Sequence, residues 1–269
     1  MSDKPQTTRK GIRGIITLGE PPTQYVFVDT PGFHRARNRL SEHMVKSVRA
    51  ENSGVDVALF VADVTKKVSP VERELAQSLS CPCILLLNKT DLFKDKTAIL
   101  KAIDDYKGLY EFDEIIPLSV KNSDNLELIL PLVEKYASEA ESLFFPRDVL
   151  TDQGEAFRVC EIVREKLLHI LHEEIPHGIA VEVESMRHSK TNKGKKIIDL
   201  SLVIICEKAS HKGIIIGKQG SALKKSGTLA RCELEDYFGC KVNMSLWVKV
   251  KDDWRNKEAM LVQLGLSGE

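Results

Sequence analysis

Short apolar runs alternate with longer stretches at helical spacing through the first half of this chain, and the pattern changes after residue 143. Gly14 to Leu18 and Gln24 to Val28 predict two strands joined by a turn over Glu20-Pro21-Pro22-Thr23. Residues 39–53 carry Leu40, Met44, Val45 and Val48 at helical spacing, which predicts an amphipathic helix. Val55 to Val61 reads as a strand buried on both faces. A helix at 70–79 and a second buried strand, Cys83 to Leu87, follow. Helices near 95–106 and 125–140 bracket a short strand at Glu114 to Leu118. Buried strands alternating with helices predict a doubly wound, mostly parallel α/β sheet, in which ligands sit at the carboxyl ends of strands.

The second half opens with Leu143-Phe144-Phe145-Pro146-Arg147-Asp148, where Pro146 interrupts the helical pattern. Residues 143–152 are read as a linker between a first domain, 1–142, and a second, 153–269. A helix over about 155–174 carries an apolar stripe from Phe157 to Leu171 and stops at Pro176. Ile179 to Glu184 alternates with period two, as a half-exposed strand does. A basic hairpin loop, Arg187 to Lys196, leads into a strand at Ile197 to Ile205. Helices at 211–216 and 221–238 flank Gly217-Lys218-Gln219-Gly220; a strand, Lys241 to Val250, and a helix, Asp253 to Gln263, close the chain. Trp247 is read as core packing in preference to a base-stacking platform.

Composition adds limits. The 269 residues are 42% hydrophobic and 29% charged, ordinary globular material sufficient for two domains. Net charge is zero, so contact with nucleic acid has to come from local patches. One such patch exists: residues 186–225 hold ten Lys or Arg against Asp199 and Glu207, a net of +8. The six cysteines form no Cys-x-x-Cys pair and are read as free, mostly buried thiols in a reducing compartment. No apolar run approaches a membrane span and no secretory signal opens the chain, so the expectation is a cytoplasmic protein.

Three polar segments fall at predicted strand ends: Asp29-Thr30-Pro31-Gly32, Asn88-Lys89-Thr90-Asp91 and Ser119-Val120-Lys121. An acid followed by a Gly that admits close backbone approach suits a metal and a phosphate. Asn-Lys-x-Asp has a different chemistry. The Asp accepts two hydrogen bonds from the N1–H and 2-amino group of guanine, a pairing adenine cannot supply. The Lys stem covers the base and the Asn ties neighbouring loops together. A buried carboxylate left unpaired by the wrong base gives strong discrimination. Asn88 follows Gly32 by 56 residues, and Ser119 follows Asp91 by 28.

Those motifs and spacings resemble the translation-factor class of GTP-binding proteins. The resemblance implies that Asp29, Thr30, Pro31 and Gly32 face magnesium and the γ-phosphate, that Asn88 to Asp91 read guanine, and that Ser119, Val120 and Lys121 complete the base site. Pro5-Gln6-Thr7-Thr8-Arg9 resembles switch I of the Era family. There the resemblance implies that a Thr, here Thr7 or Thr8, caps the magnesium. Phe33 stands where Ras-like proteins keep a water-positioning Gln, and Era-type proteins also carry an apolar residue at that place; which groups position the water is left open. No Gly-x-x-x-x-Gly-Lys-Ser/Thr occurs in the sequence. In the family it precedes the Pro-Gln-Thr-Thr-Arg segment, along with the first strand and helix, so an amino-terminal truncation of the gene product is expected. Translating the DNA upstream of Met1 would test it.

The order helix–strand–strand–helix–helix–strand with Gly-x-x-Gly between the middle helices resembles a type II KH domain. The resemblance implies that Ile216, Gly217, Lys218, Gln219, Gly220, Lys224 and Lys225 grip single-stranded RNA, with bases in a groove lined from Ile214 to Ile216 and by Leu223. A P-loop-type α/β domain followed by an α+β KH domain is the Era pairing. It implies a GTPase with GTP/GDP and Mg2+ as cofactors. The implied partners are the 3′ region of 16S rRNA and the 30S subunit during its assembly. A peripheral membrane pool, a monomeric state and no DNA partner are also expected. The competing reading is an RNA-binding module whose first domain holds no nucleotide.

Overall fold

The computed structural model describes residues 9–32, 38–51, 54–93, 95–171, 178–190 and 194–267. Gln6, Thr7, Thr8 and Phe33 lie outside the described residues. The chain forms two compact units. One comprises residues 14–35 and 45–150; the other comprises 1–13, 36–44 and 151–269.

In the first unit, β3 (Ala58–Asp63), β4 (Cys83–Asn88) and β5 (Glu114–Pro117) make a parallel sheet in that order. The five leading residues of β4 are buried because their alternate side chains enter two different cores. Cys83, Leu85 and Leu87 pack with Phe60, Ala62 and Tyr106; Ile84 and Leu86 pack with Ile116 and Leu118 on the other face. This is why the run carries no polar alternation. Helix α1 is Arg39–Glu51, and α2 (Pro70–Gln77) starts with a capping box. There Ser69 Oγ accepts from Glu72 N at 3.1 Å, and Glu72 Oε2 accepts from Ser69 N at 2.7 Å. Helix α3 is Lys96–Lys107.

Two expectations for this unit change. The helix expected over 125–140 is a 3-10 turn, Leu126–Leu128, and a short α4, Ile129–Glu134. Pro131 lacks a backbone donor, and 137–142 (Ala-Ser-Glu-Ala-Glu-Ser) offer no large apolar side chain to dock a longer helix. Second, β1 (Ile12–Leu18) and β2 (Thr23–Asp29) pair as a separate two-stranded sheet, not hydrogen-bonded to β3–β4–β5. The segment read as a linker ties to that small sheet. Gln24 exchanges two 3.0 Å hydrogen bonds with the backbone of Phe145, Ile15 N donates to Leu150 O at 2.8 Å, and Arg147 pairs with Glu20 at 2.7 Å.

The second unit contains α5 (Glu155–Ile170), β6 (Ala180–Lys190), β7 (Lys196–Cys206), α6 (Ala209–Ile216), α7 (Ser221–Phe238), β8 (Lys241–Val250) and α8 (Glu258–Gln263). The sheet order is β6–β7–β8, with β6 antiparallel and β8 parallel to β7. Strand β6 runs to Lys190, so much of the expected basic loop is strand. One sheet face packs on α5 and α7 through Val159, Leu167, Leu202, Ile204 and Leu234. On the other, Ala180, Val203 and Ile205 meet Trp254, Leu261 and, from the 36–44 segment of this same unit at the start of α1, Leu40 and Met44. Trp254 is the core tryptophan, 0% exposed, its indole donating to Gly178 O at 3.0 Å. Trp247, expected in the core, is 60% exposed because its strand position points away from α7. All six cysteines are free; Cys83 and Cys206 are buried and Cys232 is exposed.

Candidate functional site

Strand β4 delivers Asn88 to the carboxyl end of the parallel sheet, opposite Asp63 in the β3 register. Asn88 Oδ1 accepts from Val120 N at 3.1 Å and from Lys89 N at 2.7 Å, which ties two loops together. Thr90 Oγ1 donates to Leu118 O at 2.9 Å, the second tie between the same loops. Ser119, 0% exposed, donates to Asp91 Oδ1 at 2.7 Å while its oxygen accepts from Asn122 N at 3.2 Å. The hydroxyl thus fixes the Asp91 carboxylate, which a base carrying adjacent N–H donors could then use as its acceptor. Asn88, Asp91, Ser119 and Val120 are brought together as the sequence spacing suggested, whereas Lys121 is exposed beside them.

Lys89 adopts φ 72°, uncommon for a side-chain-bearing residue, and its ammonium lies 2.7 Å from Asp63 Oδ2. Asp63 also accepts from Thr65 Oγ1 at 2.6 Å and from Thr65 N at 3.1 Å. Partial burial would raise its pKa, but the Lys89 and Thr65 hydrogen bonds outweigh that and hold the carboxyl at about 2. Asp63 and Thr65 were missed in the sequence, although an acid ending an apolar run was a readable signal.

Asp29 ends β2 as an exposed residue, with Thr30 half-buried, Pro31 buried and Gly32 exposed. Because β2 belongs to the separate sheet, no strand pairing among the described residues ties this turn to the Asn88 loop. Among the described residues no group of three or more His, Cys, Asp or Glu could hold a metal ion. The sequence holds no Gly-x-x-x-x-Gly-Lys-Ser/Thr phosphate cradle. Arg9, from the segment resembling switch I, is buried in the second unit, donating to Ile179 O at 2.6 Å with its guanidinium 5.8 Å from the Trp254 ring centre.

In the second unit, α6 ends where Gly217 N donates to Gly213 O at 2.9 Å. Gly217 has φ 74° and ψ 173°, a region open only to glycine, and Gln219 and Gly220 follow at φ 52° and 77°. No side chain caps α7, so this tight turn presents the helix N-terminus with Lys218, Lys224 and Lys225 exposed around it. Such an arrangement suits a phosphodiester backbone. Of the expected groove residues, Ile215 is buried in the core, Ile214 is 51% exposed, and Ile216 and Leu223 are partly buried. Among the described residues no helix is long and apolar enough to cross a membrane.

A parallel α/β unit with a base-side loop of this kind, joined to a Gly-x-x-Gly α+β unit, defines the class: a GTPase-type domain followed by a KH domain. Residues 1–89 match the family described as 50S ribosome-binding GTPase, and residues 174–255 the KH domain family. GTPase Era of Clostridioides difficile is 42% identical over 268 residues, covering 98% of this chain and 88% of that protein. GTPase Era of Ruminiclostridium cellulolyticum is 44% identical over 269 residues, covering 98% and 87%. Among solved structures, an Era variant from Aquifex aeolicus bound to GDP–AlF4 superposes with a TM-score of 0.92 at 32% identity, covering 100% of this chain and 90% of that one. Era in complex with MgGDPNP and nucleotides 1506–1542 of 16S ribosomal RNA gives 0.92 at 33% identity, with the same coverage. The chain belongs to the Era family of GTPases.

Proposed function

We propose that this chain is a GTP hydrolase that binds GTP or GDP with Mg2+ and the 3′ region of 16S rRNA, and that it acts in 30S subunit assembly. The hydrogen-bonded set Asn88–Val120 and Asp91–Ser119 carries the nucleotide half of this reading, because it presents one immobilised carboxylate to a guanine edge. In it Asp91 accepts from the base, Lys89 covers the ring, and Thr90, Ser119, Val120 and Lys121 shape the pocket. Asp29, Thr30, Pro31, Gly32 and Phe33 form the γ-phosphate side, and Thr8, with Gln6, Thr7 and Arg9 in switch I, completes the magnesium side. Mg2+, when bound, neutralises phosphate charge. Ile216 to Gly220, Lys224 and Lys225 grip RNA. The G domain ends near residue 142, 143–152 connects it, and 153–269 is the RNA-binding domain. The protein works as a cytoplasmic monomer with a peripheral membrane pool.

A second reading is favoured by one observation: the 269 residues hold no Gly-x-x-x-x-Gly-Lys-Ser/Thr. That loop supplies most backbone contacts to the α- and β-phosphates. On this reading the chain binds RNA only. Calorimetry of the 269-residue chain with GTP and Mg2+ separates the two. Micromolar binding sustains the GTPase reading and sinks the RNA-only one; no detectable heat does the reverse. Filter binding with single-stranded RNA tests the shared half. Affinity should fall with salt and collapse when Gly217 and Gly220 become Asp, and survival of binding in that double variant would refute the KH assignment.

A further inference from the structure

The chain has two tryptophans, and the structure treats them oppositely. Trp254 is sealed in the core of the second unit, whereas Trp247 is 60% exposed and belongs to none of the apolar clusters. An indole left in solvent contributes little to folding, and strand β8 shows what surrounds it. Because the sheet order is β6–β7–β8, β8 is an edge strand, reachable from its side as well as from its face. Residues 241–251 contain three lysines and no acid. Along the strand Lys241, Asn243, Ser245 and Lys249 share the face of Trp247, since alternate residues point the same way. Lys249 leans on Glu184 at 3.3 Å yet keeps half of its side chain exposed.

The neighbouring residue faces the other way. Leu246 Cδ1 lies 3.1 Å from where a Cβ on Gly227 of α7 would stand, so it packs beneath the helix that begins at the Gly-x-x-Gly turn. Strand β8 therefore has the helix side at Leu246 and an open aromatic on its reverse, with only an unpaired edge between them.

We propose that Trp247 is a stacking platform for a nucleobase of the same single-stranded RNA that the Gly-x-x-Gly turn grips, reached where the strand passes over the open edge of β8. The inference rests on the KH reading of that turn. Lys241 and Lys249 are each shared with an acid, Glu235 at 3.7 Å and Glu184 at 3.3 Å, yet both side chains stay largely exposed, and Lys251 adds a third exposed cation for phosphate; Asn243 is held by Asp199 at 2.9 Å, so the indole face itself is what a base would use, by stacking. A protein partner or a second copy of this chain would be the other occupant of such a face, and the test below includes it.

The 269-residue chain is titrated with single-stranded RNAs of about 6 and about 12 nucleotides taken from the 3′ end of 16S rRNA, the shorter filling one domain's footprint. Trp247→Ala should weaken the longer RNA roughly 5- to 150-fold, the range of one base–aromatic stack, and leave the shorter unchanged. Trp247→Tyr should recover most of the loss. Intrinsic fluorescence should fall as the long RNA binds wild-type protein and stay flat in Trp247→Phe, where only the buried Trp254 emits. If wild-type protein binds neither RNA, the reading of the Gly-x-x-Gly turn fails and the platform falls with it. If both RNAs bind and Trp247→Ala matches wild type, the platform alone is overturned. It is equally overturned if sedimentation shows self-association that Trp247→Ala abolishes while RNA affinity stays unchanged.

Discussion

Replacing Gly217 with Ala should destabilise the second unit far more than the same change at Gly220, although both glycines stand in one short turn at similar φ. Gly217 has φ 74° and ψ 173°; non-glycine residues there carry about 1–3 kcal/mol of backbone strain. A Cβ on Gly217 would also stand 2.8 Å from Ala222 Cβ and 2.9 Å from Ala222 N. Neither neighbour is a flexible side-chain tip, so relief requires moving the first turn of α7, an overpacking penalty of about 1–3 kcal/mol. A stiffer unfolded chain returns about 0.4–1 kcal/mol. The net loss is about 3 kcal/mol. Gly220 has φ 77° and ψ 10°, a left-handed helical conformation in which a Cβ meets nothing within 4 Å. Its strain of about 1–2 kcal/mol, less the same unfolded-state term, leaves a loss of about 1 kcal/mol. Urea unfolding followed through Trp254 emission reads both, because that ring is 0% exposed and must change environment on unfolding. With a slope of about 1–3 kcal/mol per molar urea, Gly217→Ala should lower the midpoint by about 1–3 M and Gly220→Ala by less than half as much. Equal shifts, or a larger one at Gly220, would refute the reasoning that contact with Ala222 separates the two positions.

Two further outcomes concern the base-side loop. Ser119→Ala removes a fully buried hydroxyl that donates to the Asp91 carboxylate and accepts from Asn122 N; the loss should be about 2 kcal/mol, read from urea unfolding of the chain by circular dichroism, and an unchanged midpoint would contradict it. Asp63 should titrate near 2 when its carboxyl carbon is followed by NMR, because Lys89 and Thr65 hold its charged form. A depressed folded pKa contributes stability that is present above the unfolded value of about 3.9 and lost as pH falls from there through about 2. Lys89→Met should move the midpoint upward, and a midpoint already near 4 in wild type would remove the ion pair from the account.

Most of the parallel sheet and the KH-type unit were legible because their signals are local. The run Cys83 to Leu87 announces a strand buried on both faces, and the structure divides those same residues between two cores. Ser69, Pro70 and Glu72 announce the start of α2 through caps that need no distant partner. Asn88, Asp91 and Ser119 were legible for a different reason: each ends or follows a strand of one sheet, so sequence spacing translates into proximity. What stayed hidden depended on contacts that spacing does not encode. Pairing β1 with β2 was readable as a hairpin, but its separation from β3 depends on which strands find partners, and Asp29 goes with the smaller sheet. Arg9 was read in the segment resembling switch I and Leu40 on an amphipathic helix, and neither pattern shows that their side chains are buried within the second unit against Ile179, Trp254 and Ala180. The two tryptophans show a signal that was present but outweighed by residue type. Val242, Met244, Leu246, Val248 and Val250 make one parity of β8 apolar, while Trp247 shares the other with Lys241, Asn243, Ser245 and Lys249, so period two already sets Trp247 on the polar face. The contact that seats the apolar parity is Leu246 against Gly227, where Leu246 Cδ1 lies 3.1 Å from the position a Cβ would take. Once Leu246 takes that place, alternation turns Trp247 outward, and the core draws its indole from Trp254 seven residues later.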